Sequence, residues 1–373
     1  MSKATKSKSK PRKKIITDTS FQFLRSYINN ASPVGFETWG QKLWIEYLKP
    51  YVDTHYVDPY GTAVGVVNAE NKFKVVIEAH ADEISWFVNY VTPEGFIYLK
   101  RNGGVDHQTA PASRVFIHGK KGQVKAVFGW PAIHTRLGGS DNKETQPKTD
   151  NLWLDCGARN RKDVETLGIH IGAVVTYQDG FDELANGNYV GRAFDNRIGG
   201  FMIAEVARLL KENKKKLPFG LYVVNAVQEE IGLRGAEMIA RRIKPDIAII
   251  TDVTHDTTTP MINKNIEGDV LCGKGPSLSY APAVHNKLLA LVEKVAADKK
   301  IDVQWRALSR STGTDTDSFA YSNEGCPSVL ISIPLRYMHT TVEMLHRNDI
   351  ENTIQLMYET LLTLTPRTNL SYL

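Results

Sequence analysis

Four short apolar segments of this chain lead directly into acidic or histidine residues. The segments are residues 74–80, 221–228, 246–251 and 328–333. Continuous apolar runs of this length are typical of strands that are buried on both faces of a parallel sheet. Amphipathic helical patterns at residues 197–211 and 236–242 alternate with the strand patterns. The alternation predicts an α/β fold.

Residues capable of metal binding or acid–base chemistry stand at the ends of these four segments. They are His80, which ends the first, Glu229 and Glu230 after the second, Asp252 after the third, and His339 shortly beyond the fourth. Because ligands of open α/β sheets bind outside the carboxyl ends of the strands, we expect these side chains to converge. A further acid, Asp195, precedes the helix at 197–211, where backbone N–H groups favour a carboxylate.

The mixture of imidazole and carboxylate groups indicates the class of metal. Such a set without thiolates suits zinc or cobalt, with manganese also possible, whereas calcium and magnesium prefer oxygen ligands alone. Two histidines and three acids exceed what one open catalytic zinc takes. We therefore expect two divalent ions that share one carboxylate. The expected set is Asp195 as the bridge, His80 and Asp252 on one ion, and Glu230 and His339 on the other.

Two acidic residues beside these ligands have predicted roles of their own. Asp82 lies two positions after His80 and is placed to hydrogen-bond the imidazole and fix its tautomer. Glu229 adjoins the ligand Glu230 and is expected to act as the general base toward a metal-bound water, which serves as the nucleophile.

A second type of pattern occupies residues 86–178. Short β-rich pieces at 95–99, 114–118 and 122–128 are separated by glycine and proline, and a polar stretch follows at 138–150. This pattern predicts a small β-barrel-like module. Because the alternation of strand and helix resumes only afterwards, we expect the module to be inserted into the α/β domain.

Composition indicates an ordinary soluble protein of a reducing compartment. The chain has 373 residues, of which 42% are hydrophobic and 23% charged. Its three cysteines are scattered, which argues against a disulfide framework and favours a cytoplasmic location. The apolar runs are well short of the roughly 20 residues that a membrane helix needs, so we expect no membrane association.

The net charge of +5 is concentrated in the first 14 residues. This tail carries seven basic residues and no acid, and subtracting them from +5 leaves −2 for the rest of the chain. A disordered, solvated extension is the favoured interpretation of such a lysine- and serine-rich tail. A specific nucleic-acid arm is the less favoured alternative.

The motifs around the candidate ligands resemble those of a known family. The matching segments are EAHADEI at 78–84, VGRAFDNRIGG at 190–200, VQEEIGLRGA at 227–236, ITDVTHD at 250–256 and SIPLRYMHTTVEM at 332–344. They resemble, in the same order, the metal-site blocks of the dinuclear metalloaminopeptidases. This family contains the glutamyl aminopeptidases and the tetrahedral aminopeptidases, and its members are often labelled cellulases or endoglucanases.

The resemblance implies a fold, an activity and an assembly. It implies a mixed-sheet α/β metallopeptidase domain made of residues 15–85 and 179–373, with residues 86–178 as an inserted PDZ-like module. It implies peptide substrates that lose single N-terminal residues, and a homo-oligomer, expected to be a dodecamer, formed through the module. The resemblance gives the five ligands, Glu229 and Asp82 the same roles as those expected above.

Two departures from the family pattern and two competing functions remain open at this stage. Ser85 stands where the family usually has glycine. Residues 309–319 resemble the family's substrate-pocket segment, and Asp317 takes a position there that is often small or neutral. Asp317 is either a helix cap or a specificity residue. A glycosidase needs two suitably spaced carboxyl groups and no histidines, so Glu229 and Glu230 are a poor pair for it. The other alternative is a non-catalytic oligomeric metal-binding protein that binds nucleic acid or a partner through its basic tail.

Overall fold

The computed structural model describes residues 15–136 and 145–373. The predicted disordered tail at residues 1–14, and part of the polar stretch at 138–150, lie outside the described residues. The helices are α1 (Asp18–Asn29), α2 (Thr38–Leu48), α3 (Ile133–Arg136), α4 (Arg161–Thr166), α5 (Phe194–Glu212), α6 (Arg234–Ile243), α7 (Lys264–Glu267), α8 (Asn286–Lys299), α9 (Thr316–Ala320) and α10 (Arg347–Thr363). Short 3₁₀ turns occupy Lys49–Tyr51, Thr149–Asn151, Ala185–Gly187 and Glu229–Ile231.

The strands fall into a large sheet, a small sheet and a barrel. In chain order they are β1 (Thr54–Val57), β2 (Ala63–Val67), β3 (Lys74–His80), β4 (Ser85–Val91), β5 (Ile97–Asn102), β6 (Arg114–Gly119), β7 (Gly122–Gly129), β8 (Trp153–Asp155), β9 (Val174–Tyr177), β10 (Asp182–Glu183), β11 (Asn188–Gly191), β12 (Gly220–Ala226), β13 (Ile247–His255), β14 (Ser277–Tyr280), β15 (Gln304–Ala307), β16 (Ser328–Leu335) and β17 (Glu343–His346).

The large sheet has the order β1-β2-β12-β3-β13-β16-β14-β15. Its four central strands, β12, β3, β13 and β16, run parallel to one another and are the four strands that the apolar segments predict. The outer pairs β1 with β2, β2 with β12 and β14 with β16 are antiparallel, which makes the sheet mixed. The predicted α/β class is confirmed.

Helix α5 fills the space behind the centre of this sheet. It packs against β3 and β13 and against α10, and almost all of its residues are buried. The predicted helix began at residue 197, and the structure explains why the pattern was regular only from there. Asp195 and Asn196 depart from helical φ and ψ angles within the first turn, and the peptide bond between them is cis.

The β-rich stretch folds into a closed barrel with a core of its own. Among the described residues, its strands close in the order β4-β5-β8-β7-β6-β9. Trp86 and Phe128 pack inside it with ring centroids 5.4 Å apart, separately from the core of the large sheet. The barrel therefore has a hydrophobic cluster distinct from that of the large sheet.

A small sheet, β10-β11-β17, connects two distant parts of the chain. Strand β11 precedes helix α5, and β17 follows the segment that contains His339, with Gly191 opposite Glu343. The pairing therefore holds the approach to Asp195 beside the approach to His339. Among the residues that the structure describes, no helix combines the length and apolar character needed to cross a membrane.

Candidate metal centre

The predicted ligands converge at the carboxyl end of the parallel strands. Because β12, β3, β13 and β16 are neighbours in register, the residues at their carboxyl ends share one edge of the sheet. There they open into a cavity of about 410 Å³. The predicted residues that line this cavity are His80, Asp195, Glu229, Glu230, Asp252 and His339.

The carboxylate of Asp195 lies between the two histidines. Its Oδ1 is 3.2 Å from Nε2 of His80, and its Oδ2 is 3.2 Å from Nε2 of His339. Two atoms bound to one tetrahedral zinc at 2.0–2.1 Å lie roughly 3.3 Å apart. The spacing therefore fits one ion on each oxygen, with Asp195 as the shared ligand.

The remaining acids divide between the two histidines. Oδ1 of Asp252 is 3.8 Å from Nε2 of His80, and Oε1 of Glu230 is 3.3 Å from Nε2 of His339. Glu229 also faces the cluster, with Oε2 3.9 Å from the same nitrogen of His80. The donor atoms of His80, Glu229 and Asp252 lie within 4.8 Å of one another, so geometry alone admits Glu229 as a ligand or as a base.

Asp82 fixes the backbone of two of these acids, Glu229 and Glu230. The carboxylate is fully buried and accepts the backbone N–H groups of Glu229, at 3.0 Å, and Glu230, at 3.1 Å. Its Oδ1 also lies 3.4 Å from Nδ1 of His80, longer than an ordinary N–H···O bond. Asp82 therefore faces the histidine at a distance longer than the predicted hydrogen bond, and its two backbone contacts fix the loop after β12.

Comparison with known proteins gives this arrangement a family. Residues 61–356 match the family model described as M42 glutamyl aminopeptidase. The chain belongs to the M42 family. It is therefore a peptidase, and the predicted resemblance is confirmed.

The relatives of this M42 peptidase cover nearly its whole length. A lysyl aminopeptidase from Pyrococcus furiosus is 30% identical over 339 residues, which are 90% of this chain and 95% of the relative. The structure of a TET aminopeptidase from a marine sediment archaeon of the Thaumarchaeota superimposes with a TM-score of 0.89 at 29% identity, over 94% of this chain and 97% of that one. A Pyrococcus horikoshii TET1 peptidase, described as assembling into a tetrahedron or an octahedral shell, has the same fold, with a TM-score of 0.82 at 23% identity over 92% of this chain and 100% of that one.

Burial and crowding shift the pKa values of the acids in this M42 peptidase. Burial, together with the neighbouring acids Asp315 and Asp252, raises the pKa of Glu229 to about 10, although His80 opposes the shift. Burial likewise raises the pKa of Asp252 to about 7. For Asp195, burial is outweighed by hydrogen bonds from His339 and His80, and the pKa is lowered. Divalent cations reverse the cost of holding several buried carboxylates ionised, so the donor set fits two of them.

Sequence reasoning missed a second carboxylate that organises the centre. Glu343 is buried; its Oε1 accepts the backbone N–H of His339 at 2.9 Å and its Oε2 that of Asp195 at 3.0 Å. It fixes the backbone at Asp195 and His339 as Asp82 fixes the backbone at Glu229 and Glu230. The His-x-x-x-Glu spacing was the available signal, but spacing alone does not distinguish this role from a solvated acid.

We expect the substitution Glu343→Gln to weaken metal binding while the chain still folds. A carboxylate accepts both N–H groups, whereas a glutamine amide has one accepting oxygen and turns its NH₂ group toward the other donor. Loss of comparable supporting groups weakens metal affinity about 10- to 100-fold. Competition with a chromogenic chelator measures this, and circular dichroism checks the fold. Wild-type affinity in the variant would show that Glu343 is only a packing residue.

The barrel segment also contributes to the centre. The carbonyl of Gly104, between β5 and β6, accepts from Nδ1 of His339 at 3.0 Å. This hydrogen bond places the proton on Nδ1 and leaves Nε2 free to bind a metal. A Cβ atom at position 104 would lie 2.8 Å from the imidazole ring.

The substitution Gly104→Ala is therefore expected to displace His339. The backbone at this position does not need a glycine conformation, so the clash with the ring is the main consequence. If Glu230 and His339 hold an ion as the sequence predicts, we expect that ion to bind about 10-fold more weakly or worse. Calorimetric titration with zinc would show one weakened step and one preserved step. Two steps of wild-type affinity would contradict the role assigned to Gly104.

The two departures from the family pattern have structural explanations. Ser85 is buried, and its Oγ accepts from the side chain of Asn102 at 2.8 Å, away from the ligands. Asp317 is not among the residues that line the cavity; it accepts the backbone N–H groups of Thr312 and Gly313, both of which do line it. The carboxylate thus holds the backbone at Thr312 and Gly313, which forms part of the cavity wall, and does not cap a helix.

Two further buried acids escaped sequence reasoning. Glu78, on β3, and Asp315, directly before helix α9, are almost fully buried, and none of their carboxyl oxygens has a hydrogen-bond partner among the described residues. Burial is the main cause that raises the pKa of Glu78, to about 8, and of Asp315. Glu78 lies in the strand that carries His80, and Asp315 adjoins Thr314, which lines the cavity.

Proposed function

We propose that this M42 peptidase is a co-catalytic dinuclear metal aminopeptidase that removes N-terminal residues from peptides. The observation that carries the proposal is the carboxylate of Asp195, each oxygen of which faces a different histidine at 3.2 Å. In the proposal Asp195 bridges, His80 and Asp252 hold one ion, and Glu230 and His339 hold the other. Zinc or cobalt suits this donor set best, with manganese also compatible.

The bound ions would supply the Lewis acidity that makes water nucleophilic near neutral pH and polarises the scissile carbonyl. Glu229 is the general base in this scheme. It lines the cavity beside His80, and its backbone N–H is fixed by Asp82, so its carboxyl group has a defined position from which to take a proton. The same carboxyl group would return the proton to the departing amine.

The proposed ions also support exopeptidase action. A free α-amino group, once deprotonated, would be able to bind one of them, whereas the acylated nitrogen of a blocked N-terminus would not. The test compares trialanine with N-acetyl-trialanine, with product release followed by mass spectrometry. The proposal requires release of free alanine from the first peptide and none from the second; equal cleavage of both would contradict it.

Assembly is proposed to involve the barrel. We infer that residues 86–178 form the oligomerisation module, PDZ-like in the family's terms, of a homo-oligomer that is expected to be a dodecamer. Support comes from its separate core and from the TET peptidases among the structural relatives. The mass of the full chain in solution distinguishes a dodecamer from a dimer.

A non-catalytic function through the basic tail is not favoured. The family is one of peptidases, and the acid proposed as base lies in the cavity with all the proposed ligands. A glycosidase function has even less support, since the proposed ligand set includes two histidines that such chemistry does not use.

A further inference from the structure

The cavity extends beyond the candidate metal centre along a wall that contains a single arginine. Among the described residues that line the cavity, Arg306, on β15, is the only arginine or lysine. The family contains proteins named for glutamyl and for lysyl release, so membership leaves the preferred N-terminal residue open. The chemistry of this wall bears directly on that preference.

The position of the guanidinium is fixed relative to a proposed metal ligand. Nη1 of Arg306 donates to Oγ1 of Thr254 at 2.5 Å. Thr254 lies two residues after Asp252 in strand β13, and both line the cavity. Two residues of a strand span roughly 6.6 Å, so a substrate side chain must be long to reach from the candidate metal centre toward the guanidinium.

The arginine has a second partner that a ligand can replace. Nη2 donates to Oε2 of Glu267 at 2.8 Å, with side-chain exposures of 16% for Arg306 and 39% for Glu267. Glu267 stands at the end of the short helix α7 and is not among the cavity-lining residues. Because the Glu267 side chain is partly exposed and a substrate carboxylate would replace one ion pair with another, an incoming carboxylate can take over this contact.

The rest of this wall consists mainly of uncharged polar side chains and apolar side chains. It includes the hydroxyl groups of Thr254, Ser279, Thr312, Thr314 and Ser332 and the apolar side chains of Leu308, Leu330 and Met338. His255 also lines the cavity, and burial together with the neighbouring Arg306 lowers its pKa. A lysine side chain would find no acidic partner on this wall among the described lining residues outside the candidate metal centre.

We propose that Arg306 makes the cavity selective for peptides with an acidic N-terminal residue, glutamate or aspartate. In the absence of substrate Glu267 pairs with the guanidinium, and the substrate carboxylate displaces it. This proposal rests on the proposed aminopeptidase function. A guanidinium presents two parallel N–H donors to a carboxylate, which gives directional as well as electrostatic selectivity. Glutamate fits the distance from Asp252 better than the shorter aspartate.

The experiment compares p-nitroanilides of glutamate, aspartate, alanine and lysine on the full chain and four variants. We expect Arg306→Met to lower the ratio of kcat/KM for glutamate to that for alanine about 10- to 100-fold. Arg306→Lys should keep part of the ratio, because it retains charge and loses the paired donors. Glu267→Gln should raise the ratio about 2- to 5-fold by removing the competitor.

The fourth variant, Arg241→Met, is the matched control. Arg241 forms an exposed pair with Glu237 in helix α6 and does not line the cavity. In this variant the ratio of kcat/KM for glutamate to that for alanine should equal the wild-type ratio. A ratio that Arg306→Met leaves unchanged would overturn the selectivity proposal while alanine release still supports the aminopeptidase. If the metal-loaded wild type releases none of the four residues, the aminopeptidase proposal fails and this one fails with it.

Discussion

Replacement of Glu229 by glutamine is expected to lower kcat about 10²- to 10⁴-fold and to leave both metal ions bound. General acid–base groups contribute factors of this size, and glutamine keeps the shape of the side chain but cannot accept the proton. Oε2 of Glu229 lies 3.9 Å from Nε2 of His80, so the side chain faces the reaction space. Steady-state kinetics on an aminoacyl-p-nitroanilide measures the rate, and elemental analysis of the same sample measures the metal.

The paired measurement separates the two roles that the geometry allows for Glu229. If Glu229 is the base, activity falls and metal content stays at two ions per chain. If it is a ligand, metal content falls with activity, and the assignment of base is wrong. Glu237→Gln is a suitable control, since this glutamate is exposed on helix α6 and pairs with Arg241 outside the cavity. This variant should retain wild-type activity and wild-type metal content.

Replacement of Asp195 by asparagine is expected to weaken the binding of both ions together. Each oxygen of Asp195 lies 3.2 Å from a different histidine, so one amide NH₂ must replace one of the two oxygen donors and the bridging charge is lost. Loss of outer supporting groups weakens metal binding about 10- to 100-fold, and loss of a shared ligand should exceed the upper figure. Activity at limiting metal should fall by at least about 100-fold for the same reason.

Asp349→Asn is the matched control for the bridging aspartate. Asp349 is also a buried aspartate, but it accepts the backbone N–H groups of Gly273 and Gly275 and does not line the cavity. We expect it to bind both ions normally, even if its thermal stability is lower. Calorimetric titration of the two variants with zinc decides the matter. Loss of only one binding step in Asp195→Asn would mean that this carboxylate serves a single ion.

The strands and their terminal ligands were predictable because both depend on local sequence. Buried parallel strands such as β3 and β13 appear as uninterrupted apolar runs, and the topology of an α/β sheet brings their carboxyl ends together whatever the intervening loops do. The residues near these carboxyl ends, such as His80 and Asp252, could therefore be grouped from the sequence alone. The regular part of helix α5 was predictable in the same way, but the irregular turn at Asp195 was not.

The supporting contacts were not predictable because they join residues far apart in the chain. Gly104 reaches His339 across 235 positions, and Glu343 reaches Asp195 across 148. A periodic sequence pattern does not predict such contacts. The Gly104 contact depends on how the barrel segment packs against the large sheet, and the Glu343 contact depends on formation of the small sheet. Arg306 is a similar case, since its meaning depends on Thr254 and Glu267, which a sequence pattern does not place beside it.

Titration of the metal-free protein with cobalt is the most direct test of a dinuclear aminopeptidase. Exhaustive chelation comes first, and release of p-nitroaniline from an unblocked substrate is then measured after each addition. The account predicts no activity without metal and a rate that rises until about two equivalents have been added. Activity that survives chelation, or that is complete at one equivalent, would contradict the two-ion centre built around Asp195.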